Sequence, residues 1–270
     1  MQLSSKVKQR LKEKYGQWAI VTRASSGIGL ALTTQLAEAG FNLMINARNH
    51  ENLSSVANNL LSKHAIDIKI VDADMAKTEG INKIIQAAQG LNVGLLITSA
   101  GYGTSGLFLR SSLEEEINLI RVNCEAVLAL THYFSQRFQQ QQRGGMIFLS
   151  SLLAFQGVPY SANYAASKAY VQSLAEALAI ELKPYGIDVL AAAPGPVETG
   201  FAARANMKMG IAAKPSALAV PILKALGRKS HVVPGTLSKM LTYALRTVPR
   251  RAKIKIMHKI MQGFAQHQSP

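Results

Sequence analysis

Tyr164 and Lys168 stand four residues apart in Tyr164-Ala165-Ala166-Ser167-Lys168, a run without glycine or proline that predicts helix. Residues at i and i+4 share a helix face, so the phenol and the ammonium project to the same side. A cation held near a phenol favours phenolate and draws its pKa from about 10 toward working pH, which makes a general acid or base. A tyrosine and a lysine at this spacing, taken alone, also fit a solvated helix face. Ser151 lies thirteen residues before Tyr164, just beyond the apolar run 145–149, where its hydroxyl could hold a carbonyl oxygen.

A second segment reads Thr22-Arg23-Ala24-Ser25-Ser26-Gly27-Ile28-Gly29. Glycines and small residues at a helix N-terminus let a pyrophosphate approach backbone N–H groups and the positive end of the dipole. The same residues also make an ordinary strand-to-helix turn. Gly101-Tyr102-Gly103-Thr104-Ser105-Gly106 matches G-x-G-x-x-G literally, but it opens into no helix and lacks the acidic residue that should follow, so it reads as a loop at the rim of the crevice.

Both segments need a frame. Short apolar runs at 18–22, 42–46, 67–72, 94–98, 145–149 and 187–193 predict strands. Segments 28–39, 50–63, 78–90, 113–140 and 161–185 carry helical spacing. Strands alternating with helices of ten or more residues imply a doubly wound α/β domain, a parallel sheet with helices on both faces. Its ligand crevice lies at the carboxyl ends of the strands, where both segments fall.

The chain has 270 residues, 48% of them hydrophobic, enough for a sizeable core, which excludes bulk disorder. A single cysteine, Cys124, excludes a disulfide scaffold and points to a reducing, cytoplasmic setting. No stretch reaches the roughly 18 apolar residues of a spanning helix, and the first fifteen residues have no signal-peptide core. The six histidines show no metal-ligand spacing, so no metal is expected. Net charge is +15, with +4 in residues 1–16, −2 in 17–198, and thirteen basic and no acidic residues in 199–270. We therefore divide the chain into a basic N-terminal segment (1–16), a catalytic domain (17–233) with a substrate lid at about 200–220, and a basic amphipathic extension (234–270) broken at Pro249.

From about 17 to 199 the chain resembles the short-chain dehydrogenase/reductase family. The segments that carry the resemblance are TRASSGIG at 22–29, Asp74 after the third strand, SAG at 99–101, Asn123, Ser151, YAASK at 164–168 and PGPVET at 194–199. The resemblance implies a Rossmann-like fold and hydride transfer between a nicotinamide and a carbonyl or alcohol. It implies that Tyr164 gives or takes the hydroxyl proton, Lys168 binds the nicotinamide ribose and lowers the Tyr164 pKa, Ser151 orients the substrate oxygen, and Asn123 holds a water in a proton relay. The cofactor would rest on Thr22, Arg23, Ser25, Ser26, Gly27, Ile28 and Gly29, with Ala100 and Gly101 beside them. Pro194, Gly195 and Val197 would flank it, Thr199 would meet the carboxamide and Asp74 the adenine. A homodimer or homotetramer through the helices at 113–140 and 161–185 is also implied.

An NAD enzyme typically carries Asp or Glu at the end of the second strand, about 20 residues after the glycine turn. Asn46-Ala47-Arg48 stands there instead, with no carboxylate to repel a 2′-phosphate and Arg48 able to pair with one, so NADP is favoured over a merely solvated arginine. The family's first turn glycine is Arg23 here, and Thr98-Ser99 replaces the usual two asparagines. A positive φ at Arg23 would strain the turn, yet its side chain could reach a phosphate. Weakened and strengthened binding both remain open, the former giving a Rossmann-fold binding or sensor protein.

Leu152, Leu153, Phe155 and Val158, with Phe201, Met207, Met209 and Ile211 of the lid, suggest a pocket for a bulky apolar carbonyl or alcohol, or side chains packed on one another. The extension reads either as helices on an anionic lipid surface, burying Leu237, Leu241, Leu245, Ile254, Ile256 and Ile260, or as helices packed on the domain or a partner subunit. Nucleic acid is disfavoured, because Tyr243 and Phe264 are the only aromatics from 234 onward.

Overall fold

The interior strands of a parallel sheet are covered on both faces, so they are apolar at every position instead of alternating. The computed structural model, which describes residues 2–207, 210, 212–245 and 247–265, follows that rule. After helix α1 (Ser5–Tyr15) come β1 (Trp18–Thr22), α2 (Gly27–Glu38), β2 (Asn42–Ala47), α3 (His50–Leu61), β3 (Ile68–Asp72), α4 (Thr78–Ala87) and β4 (Val93–Thr98). Then follow α5 (Leu113–Ile120), α6 (Ala126–Gln141), β5 (Gly144–Leu149), α7 (Ala162–Glu181) and β6 (Ile187–Ala192). The chain closes with α8 (Phe201–Arg204), α9 (Pro215–Ala225), β7 (His231–Val232), α10 (Thr236–Ala244) and α11 (Arg250–Ala265). The strands form one parallel sheet in the order β3-β2-β1-β4-β5-β6-β7. Every residue of β4 and β5 is buried.

Side chains of a strand alternate between faces. Ala19 and Val21 enter the core layer with Leu32, Leu36, Leu53 and Leu223 from α2, α3 and α9. Ile20 enters the opposite layer with Ile84, Phe134, Phe138 and Val171 from α4, α6 and α7. The order reverses between β1 and β4, whose carboxyl ends flank the crevice expected of this topology.

Four features correct or refine the sequence expectations. Residues 1–16 contain a structured helix: Leu3, Val7, Leu11 and Tyr15, four apart, are buried in the first core layer. Its cations engage the domain, with Arg10 donating to the carbonyl of Leu226 at 2.7 Å and Lys14 lying 2.6 Å from Asp188. The helix expected over 113–140 is present, but its stretch Arg121–Glu125, between α5 and α6, is wound as a π-helix that carries Asn123 inward. Residues 215–220, the far end of the expected lid, begin α9, whose Leu218, Val220, Ile222 and Leu223 are buried against α2 and the sheet. Met209 and Ile211, also assigned to the lid, and the side chain of Leu237 lie outside the described residues. Finally, of the two readings of 234–270, α10 and α11 follow the one in which they pack on the domain. Met257 and Met261 are buried with Val158, Ala165 and Met207, and Ile254 lies opposite Gly157, where an added Cβ would be 3.6 Å away.

Candidate active site

The turn after β1 places Arg23 at φ 52° and Gly27 at φ 58°. Gly29 admits no side chain, since a Cβ there would stand 2.2 Å from the carbonyl oxygen of Arg23. Ser26, the residue before α2, makes no side-chain capping bond, which leaves the first N–H groups of α2 without an internal acceptor. The Thr22 hydroxyl accepts from the N–H groups of Ser99 and Ala100, each at 2.9 Å, and so ties the end of β1 to the end of β4. Arg23 crosses the same gap, its guanidinium donating to the carbonyl of Gly101. Left-handed backbone costs a non-glycine residue roughly 1–2 kcal/mol. A hydrogen bond from a charged donor, worth about 1.5–3 kcal/mol, is enough to offset that.

The seventh helix carries the Tyr164 phenol and the Lys168 ammonium inward. Both are buried, and the ammonium lies 5.8 Å from the centre of the Tyr164 ring. Lys168 donates to the carbonyl of Leu149 at 2.8 Å, at the end of β5. Burial pushes the Tyr164 phenol up to about 12, opposed by a hydrogen bond with Ser151 and by the charge of Arg23. Burial and the same arginine hold Lys168 down at about 8. The phenol is thus raised and not lowered by the groups around it, because dehydration outweighs the Ser151 hydrogen bond and the charge of Arg23. Ser151 also accepts from the N–H of Leu153 at 3.2 Å.

Asn123 is fully buried behind this group. Its amide pairs with both backbone groups of Tyr102, at 3.1 and 2.9 Å, and donates to the Ser167 hydroxyl at 3.0 Å. The literal glycine motif at 101–106 is a loop, as expected. Gly103 lies so close to Phe201 that a Cβ would meet its ring at 2.6 Å.

A cavity of about 620 Å³ gathers most of the expected residues. Arg23, Ser26, Gly27, Ile28 and Gly101 line one side, and Ser151, Tyr164 and Lys168 the floor. Pro194, Gly195, Val197 and Thr199 line the far side, with the Thr199 methyl standing 3.0 Å from where a Cβ of Gly27 would be. Thr22, Ser25, Gly29 and Ala100 lie outside the lining. Arg48 and Asp74 also lie outside it, just past the ends of β2 and β3. Arg48 is exposed and in no hydrogen bond or ion pair among the described residues, while its charge is felt by Arg23. Asn46 turns its amide to the carbonyls of Val71 and Ala73, at 2.9 and 3.1 Å, and braces β2 against β3. Asp74 accepts from the N–H of Ala76 at 3.0 Å.

Leu152, Leu153, Phe155, Phe201 and Met207 line the cavity as expected of an apolar pocket, and the Phe201 ring lies 5.1 Å from that of Tyr164. Val158 packs behind them. The last wall was not foreseen: Leu241 comes from α10 and Leu245 from its end, and Met257, Ile260, Met261 and Phe264 come from α11. Their spacing of three and four residues was the available signal. Three of the residues assigned to a lipid-facing surface, Leu241, Leu245 and Ile260, thus border the cavity. Gly195 donates its N–H to Ser238 at 3.0 Å, which docks α10 on the 194–199 loop.

Residues 17–210 match the family model for short chain dehydrogenase. A 7beta-hydroxysteroid dehydrogenase of Mediterraneibacter gnavus is 30% identical over 179 residues, 66% of this chain and 68% of the relative. A very-long-chain 3-oxoacyl-CoA reductase-like protein of Arabidopsis thaliana is 36% identical over 196 residues, 71% of this chain and 62% of the relative. A solved 7beta-hydroxysteroid dehydrogenase superposes with a TM-score of 0.84 at 26% identity, covering 92% of this chain and 98% of its own. No described helix is long and apolar enough to cross a membrane.

Proposed function

This chain belongs to the short-chain dehydrogenase family and is a nicotinamide-dependent oxidoreductase, and from that premise we propose that it reduces the ketone of a bulky apolar substrate with NADPH, Tyr164 delivering the proton. The observation that carries the proposal is the cavity of about 620 Å³ that joins the Ser151, Tyr164 and Lys168 floor to an apolar wall from the C-terminal helices. The names of the relatives, for a hydroxysteroid and for a very-long-chain acyl substrate, fit such a cavity.

The residues present fit a dinucleotide. Gly29 lets the Arg23 turn pack directly on the start of α2, and the uncapped start of that helix offers N–H groups to a pyrophosphate. Two guanidiniums that feel each other, Arg23 and Arg48, with no carboxylate at the end of β2, suit the 2′-phosphate of NADP. Lys168 would hold the nicotinamide ribose, Thr199 the carboxamide, Asp74 the adenine side, and the remaining turn residues the phosphates. When bound, the nicotinamide supplies or takes the hydride.

Within that frame Ser151 orients the substrate oxygen by hydrogen bonding. Tyr164, protonated across the neutral range because burial raises it, donates its proton to that oxygen. The positive charges of Arg23 and Lys168 stabilise the phenolate left behind, and Lys168 hands a proton back to it, being resupplied along the polar groups that include Asn123. Apolar side chains of α10 and α11 exclude water.

Fluorescence titration with NADPH and NADH, then NADPH consumption over a panel of steroid and long-chain ketones, tests the reading. NADPH is expected to bind more tightly, and Tyr164→Phe to keep that binding while kcat falls about 10²–10⁴-fold. Turnover that survives Tyr164→Phe would overturn the role of the phenol. A second reading, a nucleotide-binding or sensor protein with little turnover, draws support from Arg23, which occupies the glycine position and spans the crevice. It prevails if nucleotide binds only after Arg23→Gly.

The assembly is proposed to be a homodimer or homotetramer through α5, α6 and α7. Support comes from the apolar residues left in water before and along α5: Phe108 is 65% exposed, Leu109 98% and Leu113 72%. Size-exclusion chromatography with light scattering is expected to give twice or four times the chain mass, and Ile117→Glu, also on this exposed face, to give monomer.

A further inference from the structure

Among the described residues, three cationic side chains line the cavity, and no carboxylate does. Arg23 donates to Gly101 and Lys168 to Leu149. Lys253, half-buried on α11, has no side-chain hydrogen bond or ion pair among the described residues. Its neighbours Arg250, Arg251 and Lys255 are exposed, so Lys253 is the cation that this helix turns toward the cavity. Lys253, Met257 and Met261 follow one another at intervals of four, a row about 12 Å long on one helix face. The Met261 end packs in the cluster with Met207 and Phe201, beside Tyr164. The Lys253 end is next to Ile254, which faces Gly157.

A half-buried ammonium at the edge of an apolar cavity, with no counter-ion among the described residues, offers a pairing partner to an anionic group of a ligand in that cavity. We propose that Lys253 is a specificity residue, and that the substrate is an apolar ketone carrying a carboxylate at the end remote from the carbonyl. The methionine row covers the hydrocarbon between the two polar ends. Lys253 pairs with the carboxylate by a charge-assisted hydrogen bond, which selects acids over their neutral esters. This assignment rests on the ketone-reductase reading of the same cavity.

A matched pair separates the two. With the full-length protein and NADPH, kcat/KM is measured for 10-oxooctadecanoate and for its methyl ester. The acid is expected to be favoured at least tenfold, mostly through KM. Lys253→Met should bring the acid-to-ester ratio to about one, and Lys253→Arg should restore most of it. Equal kcat/KM for acid and ester in the unmodified protein, or an unchanged ratio in Lys253→Met, overturns the assignment. If neither ketone is consumed, the reductase reading fails, and calorimetric binding of the same two compounds decides about Lys253. Tighter binding of the acid that disappears in Lys253→Met sustains the assignment, whereas equal binding, or none, overturns it.

Discussion

Arg23 is the residue on which the chemistry turns, because its charge is felt by both titrating groups. It opposes the burial that raises Tyr164, and it adds to the burial that lowers Lys168 to about 8. Ketone reduction needs the phenol protonated and the ammonium charged. The phenol, near 12, stays protonated, so the ammonium sets the alkaline limb. kcat/KM for reduction should be level below about pH 8 and fall above it. Arg23→Gly removes a like charge from Lys168, so ammonium persists to higher pH and the limb moves in the alkaline direction. The same change removes a positive charge from the phenolate, so the plateau should drop. A pH profile of both proteins measures the two effects together. A limb that stays in place or moves toward acid would show that Arg23 acts only through the shape of the turn.

At the scale of elements, the two C-terminal helices wall one side of the cavity. Met261 is buried on α11 against Met207 and borders the cavity. Met261→Ala removes apolar contact worth about 2 kcal/mol at roughly 0.8 kcal/mol per methylene, which is 10- to 30-fold in KM for a bulky ketone. NADPH affinity, set by the turn before α2, should not follow. A KM that stays level while NADPH binding weakens would refute the assignment of α11 to the substrate wall. That this wall escaped the sequence reading has a physical cause. Strands such as β4 and β5, covered on both faces, are unbroken apolar runs, and the Tyr164 and Lys168 pair is local, so both are visible in one dimension. Which surface an amphipathic helix covers depends on contacts remote in sequence, so 234–270 fitted both lipid and protein. Helix α1 was hidden because Leu3, Val7, Leu11 and Tyr15 stand singly among lysines. The ninth helix was hidden by Pro215 at its start and Pro221 within it, and β7 by having only two residues. The π-turn at 121–125 keeps helical composition while it redirects Asn123.

For the molecule as a whole, the net charge of +15 is divided between its two ends. The cations of α1 sit where the strands begin: Gly94, at the start of β4, leaves no room for a Cβ beside the Tyr15 carbonyl, and Arg10, Lys12 and Lys14 are bound to groups of the domain. The cations of α11 sit beside the cavity at the other end, with Arg250, Arg251, Lys255 and Lys259 exposed and without ion pairs among the described residues. The preceding helix, α10, leaves Met240 72% and Tyr243 78% exposed. Basic residues close to an anionic bilayer contribute about 1 kcal/mol each, so these four supply about 4 kcal/mol, and the exposed side chains add apolar area. We infer peripheral contact with anionic lipid on this side, which would bring a bulky apolar substrate to the cavity from the bilayer. Co-sedimentation should show binding to phosphatidylcholine vesicles containing phosphatidylserine at 0.1 M salt, where charges act over about 10 Å, and release at 1 M, where they act over about 3 Å. Lys255→Glu with Lys259→Glu should abolish it, whereas Lys6→Glu on α1 should not. Equal binding to pure phosphatidylcholine, or equal loss from the α1 substitution, would assign the basic excess to solubility instead of to a membrane surface.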